Sequence, residues 1–137
     1  MYNHALVPID LAHAENANDM IRAASAMLAD DGKITLLYMM PDIPAMVESY
    51  LPDGTTAEAK ASAQAELKAI ADKSDASSIT SEVRVGNASY GILEAADADK
   101  CDLIVIASHQ PELSDYLLGS TAAKVVRHAR CSVHVMR

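Results

Sequence analysis

The stretch from Ile104 to Ala129, IVIASHQPELSDYLLGSTAAKVVRHA, changes character twice. An apolar run ends abruptly at Ser108, a polar segment follows, and Gly119-Ser120-Thr121 opens an amphipathic pattern that lasts to about His128. With Cys101-Asp102 in front, the run reads as a buried strand, and the last part reads as a helix with apolar residues at 3.6-residue spacing. A strand that hands over to a helix through a polar junction is the unit of a parallel sheet. The junction is either plain connection or an anion cradle, because a helix start offers unpaired N–H groups and a partial positive charge.

Working outward, the same unit recurs along the chain. His4–Ile9 reads as a buried strand ending at Asp10, and about His13–Ala29 reads as a helix stopped by Asp30-Asp31-Gly32. Lys33–Met40 is a second strand, apolar enough to be covered on both faces. A Pro-rich loop follows over 41–54, long for a compact domain. It carries Pro41, Ile43, Pro44, Met46, Val47 and Tyr50, and reads as a lid over its own domain ahead of an apolar contact for a partner. Thr55–Lys73 is an Ala-rich amphipathic helix, Ile79–Val85 an alternating third strand, and about Ala88–Ala98 a helix with Asn87 as N-cap. Cys101–Ala107 is the fourth strand, and Ser132–Met136 is the fifth. The order βαβαβαβαβ predicts one α/β domain over residues 1–137, a doubly wound parallel sheet with right-handed crossovers.

Composition narrows the function classes. The 137 residues carry 19 acidic against 11 basic side chains, a formal charge of −8, which argues against a nucleic-acid partner. Half the residues are apolar, with no Phe and no Trp, as suits helices packed closely on a sheet. Cys101 and Cys131 lack metal-ligand spacing and read as small buried thiols in a reducing cytosol. MYNHALVPID has neither a basic nor a long apolar region, and no run reaches the ~20 residues of a membrane helix, so a cytoplasmic location is expected.

Ligands of open α/β sheets sit at the carboxyl ends of strands, where the strand order reverses. The candidates are Pro8-Ile9-Asp10 after strand one, and Ala107-Ser108-His109-Gln110 with Gly119-Ser120-Thr121 after strand four. Taken singly, each has a plain structural reading. Ser120 or Thr121 caps a helix, His109 is a loop histidine, and Asp10 is a loop carboxylate, a helix-start acid or a metal ligand. Met39-Met40 reads as core. Their convergence on one end of one sheet is what points to a phosphate site, and fixed backbone dipoles can supply its field in an acidic protein.

LVPID at Leu6–Asp10, the fourth-strand junction, and the ending CSVHVMR together resemble the universal stress protein family, nearest to its F/G-type bacterial members. The resemblance runs the whole chain in order. It implies a Rossmann-like three-layer sandwich of the adenine nucleotide alpha hydrolase type, strand order 3-2-1-4-5, and a homodimer paired through strand five, about Ser132–Met136. It also implies a further protein partner of unknown identity. ATP, or ADP or AMP, is the implied ligand, with Mg2+ or Mn2+ held through its phosphates and, indirectly, by Asp10. Carried over by motif, the contacting positions are Pro8, Ile9 and Asp10; Met39 on the adenine; and Val85 and Gly86. The fourth-strand motif adds Ala107, Ser108, His109 and Gln110, then Leu118, Gly119, Ser120 and Thr121. Ser132 and Val133 lie before the last strand. Ala107 and Gln110 stand at the two signature glycines. F/G-type members share the alanine and carry Arg where Gln110 stands, so the change to Gln removes a phosphate-pairing cation.

The resemblance favours a regulatory nucleotide switch, with at most slow hydrolysis or autophosphorylation at Ser120 or Thr121; the competing reading is a nucleotide-free dimeric interaction module. A phosphorelay receiver is excluded, since strand three ends Val85-Gly86-Asn87 without an acceptor Asp. An adenylating synthetase is excluded because DLAHAEN is no pyrophosphate loop.

Overall fold

A computed structural model describes residues 1–108 and 118–137. Five parallel strands lie in the order 3-2-1-4-5, as expected. β1 (Tyr2–Pro8) pairs with β2 (Leu28–Met40) on one side and β4 (Leu103–Ala107) on the other. β3 (Ile79–Val85) and β5 (Ser132–Met136) form the two edges.

Helices cover both faces. α1 (Ala17–Met27) and α3 (Thr55–Lys73) bury Met20, Ile21, Ala24, Ala63, Leu67 and Ala71 against one face of the sheet. α4 (Ala88–Ala98) and α5 (Ser120–His128) bury Ile92, Ala95, Ala96, Ala122 and Val125 against the other. The central strands alternate between these cores, with Val7 and Val105 on the first and Leu6, Ile104 and Ile106 on the second. Ala5, Leu6 and Val7 are wholly buried, which is why these strands read as continuous apolar runs.

The sequence boundaries shift in several places, β4 starting at Leu103 rather than Cys101 and β1 ending at Pro8 rather than Ile9 among them. β1 begins two residues earlier than expected, because the Asp102 carboxylate accepts the N–H groups of Asn3 and His4, each at 2.9 Å. Burial works against the charged form of Asp102, but these donors outweigh it and hold the carboxyl below its ordinary range. β2 begins at Leu28: Tyr2 pairs with Leu28 while His4 pairs with Lys33, so Asp30-Asp31-Gly32 sits in a bulge within the strand. The predicted first helix opens instead as a 3-10 helix, Leu11–Asn16, broken at His13 (φ −137°, ψ 56°) before α1 starts. The loop over 41–54 contains one helical turn, α2 (Ala45–Glu48). Met46, Val47 and Tyr50 are 77, 49 and 85% exposed, so this segment is not folded over its own domain as expected. α3 keeps its predicted bounds but buries only the stripe Ala63, Leu67 and Ala71.

A polar chain, buried at His4 and Thr35 and reaching the surface at Thr80, crosses the bottom of the sheet. His4 Nδ1 lies 3.2 Å from the Asp99 carbonyl and Nε2 lies 2.8 Å from Thr35 Oγ1, with Thr80 Oγ1 3.5 Å beyond. A carbonyl only accepts, so Nδ1 carries the proton and neutral Nε2 accepts from the Thr35 hydroxyl. Burial, and then Lys33, push the His4 imidazole below its ordinary value of 6.5.

At the free edge, the Met136 carbonyl accepts the Ser108 N–H at 2.7 Å. In a parallel strand the N–H and C=O of one residue point to the same side, and successive residues alternate. Ser132, His134 and Met136 therefore face β4, and the backbone groups of Val133 and Val135 face outward.

Candidate functional site

The strand order reverses between β1 and β4. The chain leaves β1 toward α1 on one face and leaves β4 toward α5 on the other, and a crevice opens between the two strand tips. A cavity of about 510 Å³ occupies it, within the range that suits a small-molecule ligand.

Much of its lining is apolar, from Ile9, Met20, Tyr38, Met39, Ile92 and Ile106. The start of α5 lines it too, through Gly119, Ser120 and Thr121. Gly119 is the N-cap residue and has no side chain to cap with; among the described residues no side-chain capping bond is made there. Ser120 and Thr121 therefore do not act as the caps their sequence position suggested. The first intrahelical bond runs from the Ala123 N–H to the Gly119 carbonyl at 2.9 Å, which leaves the Ser120, Thr121 and Ala122 amides at the open end of the helix. The Gly119 N–H is occupied: it donates to Ser108 Oγ at 3.2 Å, tying the end of β4 to the helix start. The site thus joins an apolar slot to a positively polarised backbone cradle.

Asp10 lies at the rim and is exposed. Its Oδ1 accepts the Ala12 N–H at 3.1 Å as N-cap of the 3-10 helix, which is the helix-start role among its three candidate readings. Among the described residues no group of three His, Cys, Asp or Glu side chains is placed to hold a metal ion. One helix-capping carboxylate does not make a resident metal site.

The cavity gathers Pro8, Ile9, Asp10, Met39, Ala107, Gly119, Ser120 and Thr121 from the sequence candidates. His109 and Gln110 lie outside the described residues. Val85, 46% exposed, and Gly86 (φ 139°) are at the tip of β3, two strands from β1, and do not line the cavity. Leu118 packs on the core beneath α5. Ser132 and Val133 pair with Leu103 and Ile104, at the end of β5 away from Ala107 and Met136. The sequence reading did not single out Met20, Tyr38, Ala88 or Ile92. Helical spacing was the available signal for Ala88 and Ile92, which lie four apart on one face of α4.

A larger groove, about 760 Å³, opens at the opposite end of the sheet, with Arg22, Asp30, Lys73 and Asp75 among its lining residues. α1 and α3 present their carboxyl ends there, so their dipoles oppose an anion, and the strand tips of the β1–β4 crevice are absent from it. Chemistry therefore favours the smaller cavity. The thiols are remote from it. Burial pushes Cys101 up to about 12 and raises Cys131 as well, which keeps both as poor nucleophiles.

The universal stress protein family model matches residues 1–137. Universal stress protein G of Escherichia coli O157:H7 is 32% identical over 142 residues, covering 100% of both chains. The structure of UspA from Lactobacillus plantarum shares 28% identity and superposes with a TM-score of 0.70, over 99% of this chain and 98% of that one. A universal stress protein solved in complex with cAMP has the same fold at 21% identity, with a TM-score of 0.71 over 99% of this chain and 97% of that one.

Proposed function

The chain belongs to the universal stress protein family, and on that premise we propose that it binds an adenine nucleotide, ATP or its di- or monophosphate, as a regulatory ligand. The observation that carries this reading is the meeting, in one cavity, of the apolar slot at Ile9, Met39 and Ile106 with the N-terminal amides of α5. The slot suits a base, and the Ser120–Ala122 amides suit a phosphate. The neighbour in complex with cAMP supports the ligand class. Mg2+ or Mn2+ would enter with the phosphates and meet Asp10. The proposed output is occupancy itself, read by a partner, rather than turnover.

Calorimetry with ATP, ADP and AMP, with and without Mg2+, tests the reading. Saturable heat at micromolar to millimolar nucleotide is expected, and silence at millimolar concentration with all three would refute it. The competing nucleotide-free module is favoured by Gln110, a neutral side chain where the F/G-type pattern has a phosphate-pairing Arg.

A homodimer through β5 is part of the proposal. The outward backbone groups of Val133 and Val135 form an unpaired edge, and a second copy can satisfy it about a two-fold axis. Charged replacements at these valines would also injure the core on which both pack. Val135→Pro is the cleaner probe, because it removes an outward N–H while leaving the ladder to β4. Light scattering should report a monomer with near-native circular dichroism; a persistent dimer would rule out this edge.

A further inference from the structure

Gly91 sits in α4 one turn after Ala88 and beside Ile92, both of which line the cavity, and it is buried. A β-carbon at this position would overlap the Sδ and Cε atoms of Met39. The thioether of Met39 therefore lies directly against the backbone of α4, in space that a side chain at residue 91 would fill. Met39 itself lines the cavity.

We infer that Gly91 is a specificity-determining residue: by letting the Met39 thioether rest on α4, it sets the width of the apolar slot and so the size of the base admitted. The inference rests on the nucleotide reading above, but the contact between the two residues does not. The atoms that a β-carbon would strike are the far end of a flexible side chain, so Met39 yields before the helix does. Leu37 and Ile92, both buried, border the same cavity, and α4 blocks retreat, so the displaced thioether moves into the empty volume. A slot filled by one methyl-sized displacement discriminates by about tenfold or more in an apolar pocket. The helix itself does not require glycine here, since φ at Gly91 is not positive. Alanine is also the better helix former, which favours a folded variant.

The test compares wild type, Gly91→Ala, Met39→Ala, and the double variant Gly91→Ala with Met39→Ala. Each is titrated calorimetrically with AMP and with CMP, and the free proteins carry a 13C label on the methionine methyls. Gly91→Ala should shift the Met39 methyl resonance, weaken AMP by about tenfold or more, and weaken CMP, with its smaller ring, by less. With the Met39 side chain absent, Gly91→Ala should cost AMP no more than a few-fold relative to Met39→Ala alone, because nothing is left to be displaced. If wild type binds AMP and Gly91→Ala binds it equally well, or if Gly91→Ala weakens AMP as much in the Met39→Ala background as in wild type, this inference fails while the nucleotide reading stands. If wild type binds neither nucleotide, the nucleotide reading fails and takes the inference with it. An unmoved methyl resonance in Gly91→Ala would refute the contact itself.

Discussion

Ser120→Asp should weaken adenine nucleotide binding by about a hundredfold while leaving the fold at least as stable as before. Ser120 is exposed, occupies the first position of α5 and lines the cavity. An acid in the first helical turn meets the positive end of the dipole and stabilises the helix by about 0.3–1 kcal/mol. The same carboxylate would stand roughly 5 Å from a phosphate held by the neighbouring amides. At an effective dielectric of ~20, two unit charges at that separation repel by about 3 kcal/mol, or roughly two orders of magnitude in affinity. Adenosine carries no phosphate, so its affinity should change little, and the penalty should grow from AMP to ATP. Calorimetry on the three ligands, with a thermal melt of each protein, reads all of this. Equal AMP affinity in wild type and Ser120→Asp would place the phosphate elsewhere.

The second large effect concerns stability. His4 and Thr35 are each 7% exposed and depend on one another for hydrogen bonding. Thr35→Val keeps the shape but leaves Nε2 buried without a donor, at a cost of about 1–3 kcal/mol. A pH dependence follows from the lowered His4 value. Above 6.5 the ring is neutral both folded and unfolded, and the contribution to stability is whole. As pH falls through 6.5, the unfolded chain takes up a proton that the folded protein resists, so stability declines until the folded value is passed. Denaturant melts of wild type between pH 7.5 and 5 should show this decline, and His4→Gln, though less stable, should lack it. The Asp102 contribution lies in a separate and lower window: it is present above the ordinary carboxylate range and lost as pH falls beneath it. An identical slope in wild type and His4→Gln between pH 7.5 and 5 would deny His4 this role.

Much of the architecture was legible in the chain. The apolar strands at Leu6, Leu36 and Ile104 are covered on both faces, and runs so covered lose the alternation that half-buried strands show. Asn87 sits where an N-cap belongs, and its side chain accepts the Tyr90 N–H at 3.1 Å. What local pattern does not carry is any pairing distant in sequence. The early start of β1 depends on Asp102, 99 residues from Asn3. The entry bulge of β2 depends on its register against Tyr2 and His4. The site follows the same rule. Pro8-Ile9-Asp10 and Gly119-Ser120-Thr121 were visible as short motifs at strand and helix ends, and the cavity brings them together. The wall formed by Met20, Tyr38 and Ile92 was not visible, because these residues read as ordinary core until the strand order places them around one crevice. Gly91 carried no local signal at all. Its meaning lies in Met39, 52 positions earlier.

The central claim is that the crevice between β1 and β4, with its phosphate end at the start of α5, is the nucleotide site. An amide-resolved NMR titration of the wild-type protein with AMP tests it most directly. Largest and saturable shifts are predicted at the amides of Ser120, Thr121 and Ala122, accompanied by Ile9 and by the Met39 methyl. Shifts confined to the far groove around Arg22, Lys73 and Asp75, or no shift at millimolar AMP, would contradict it.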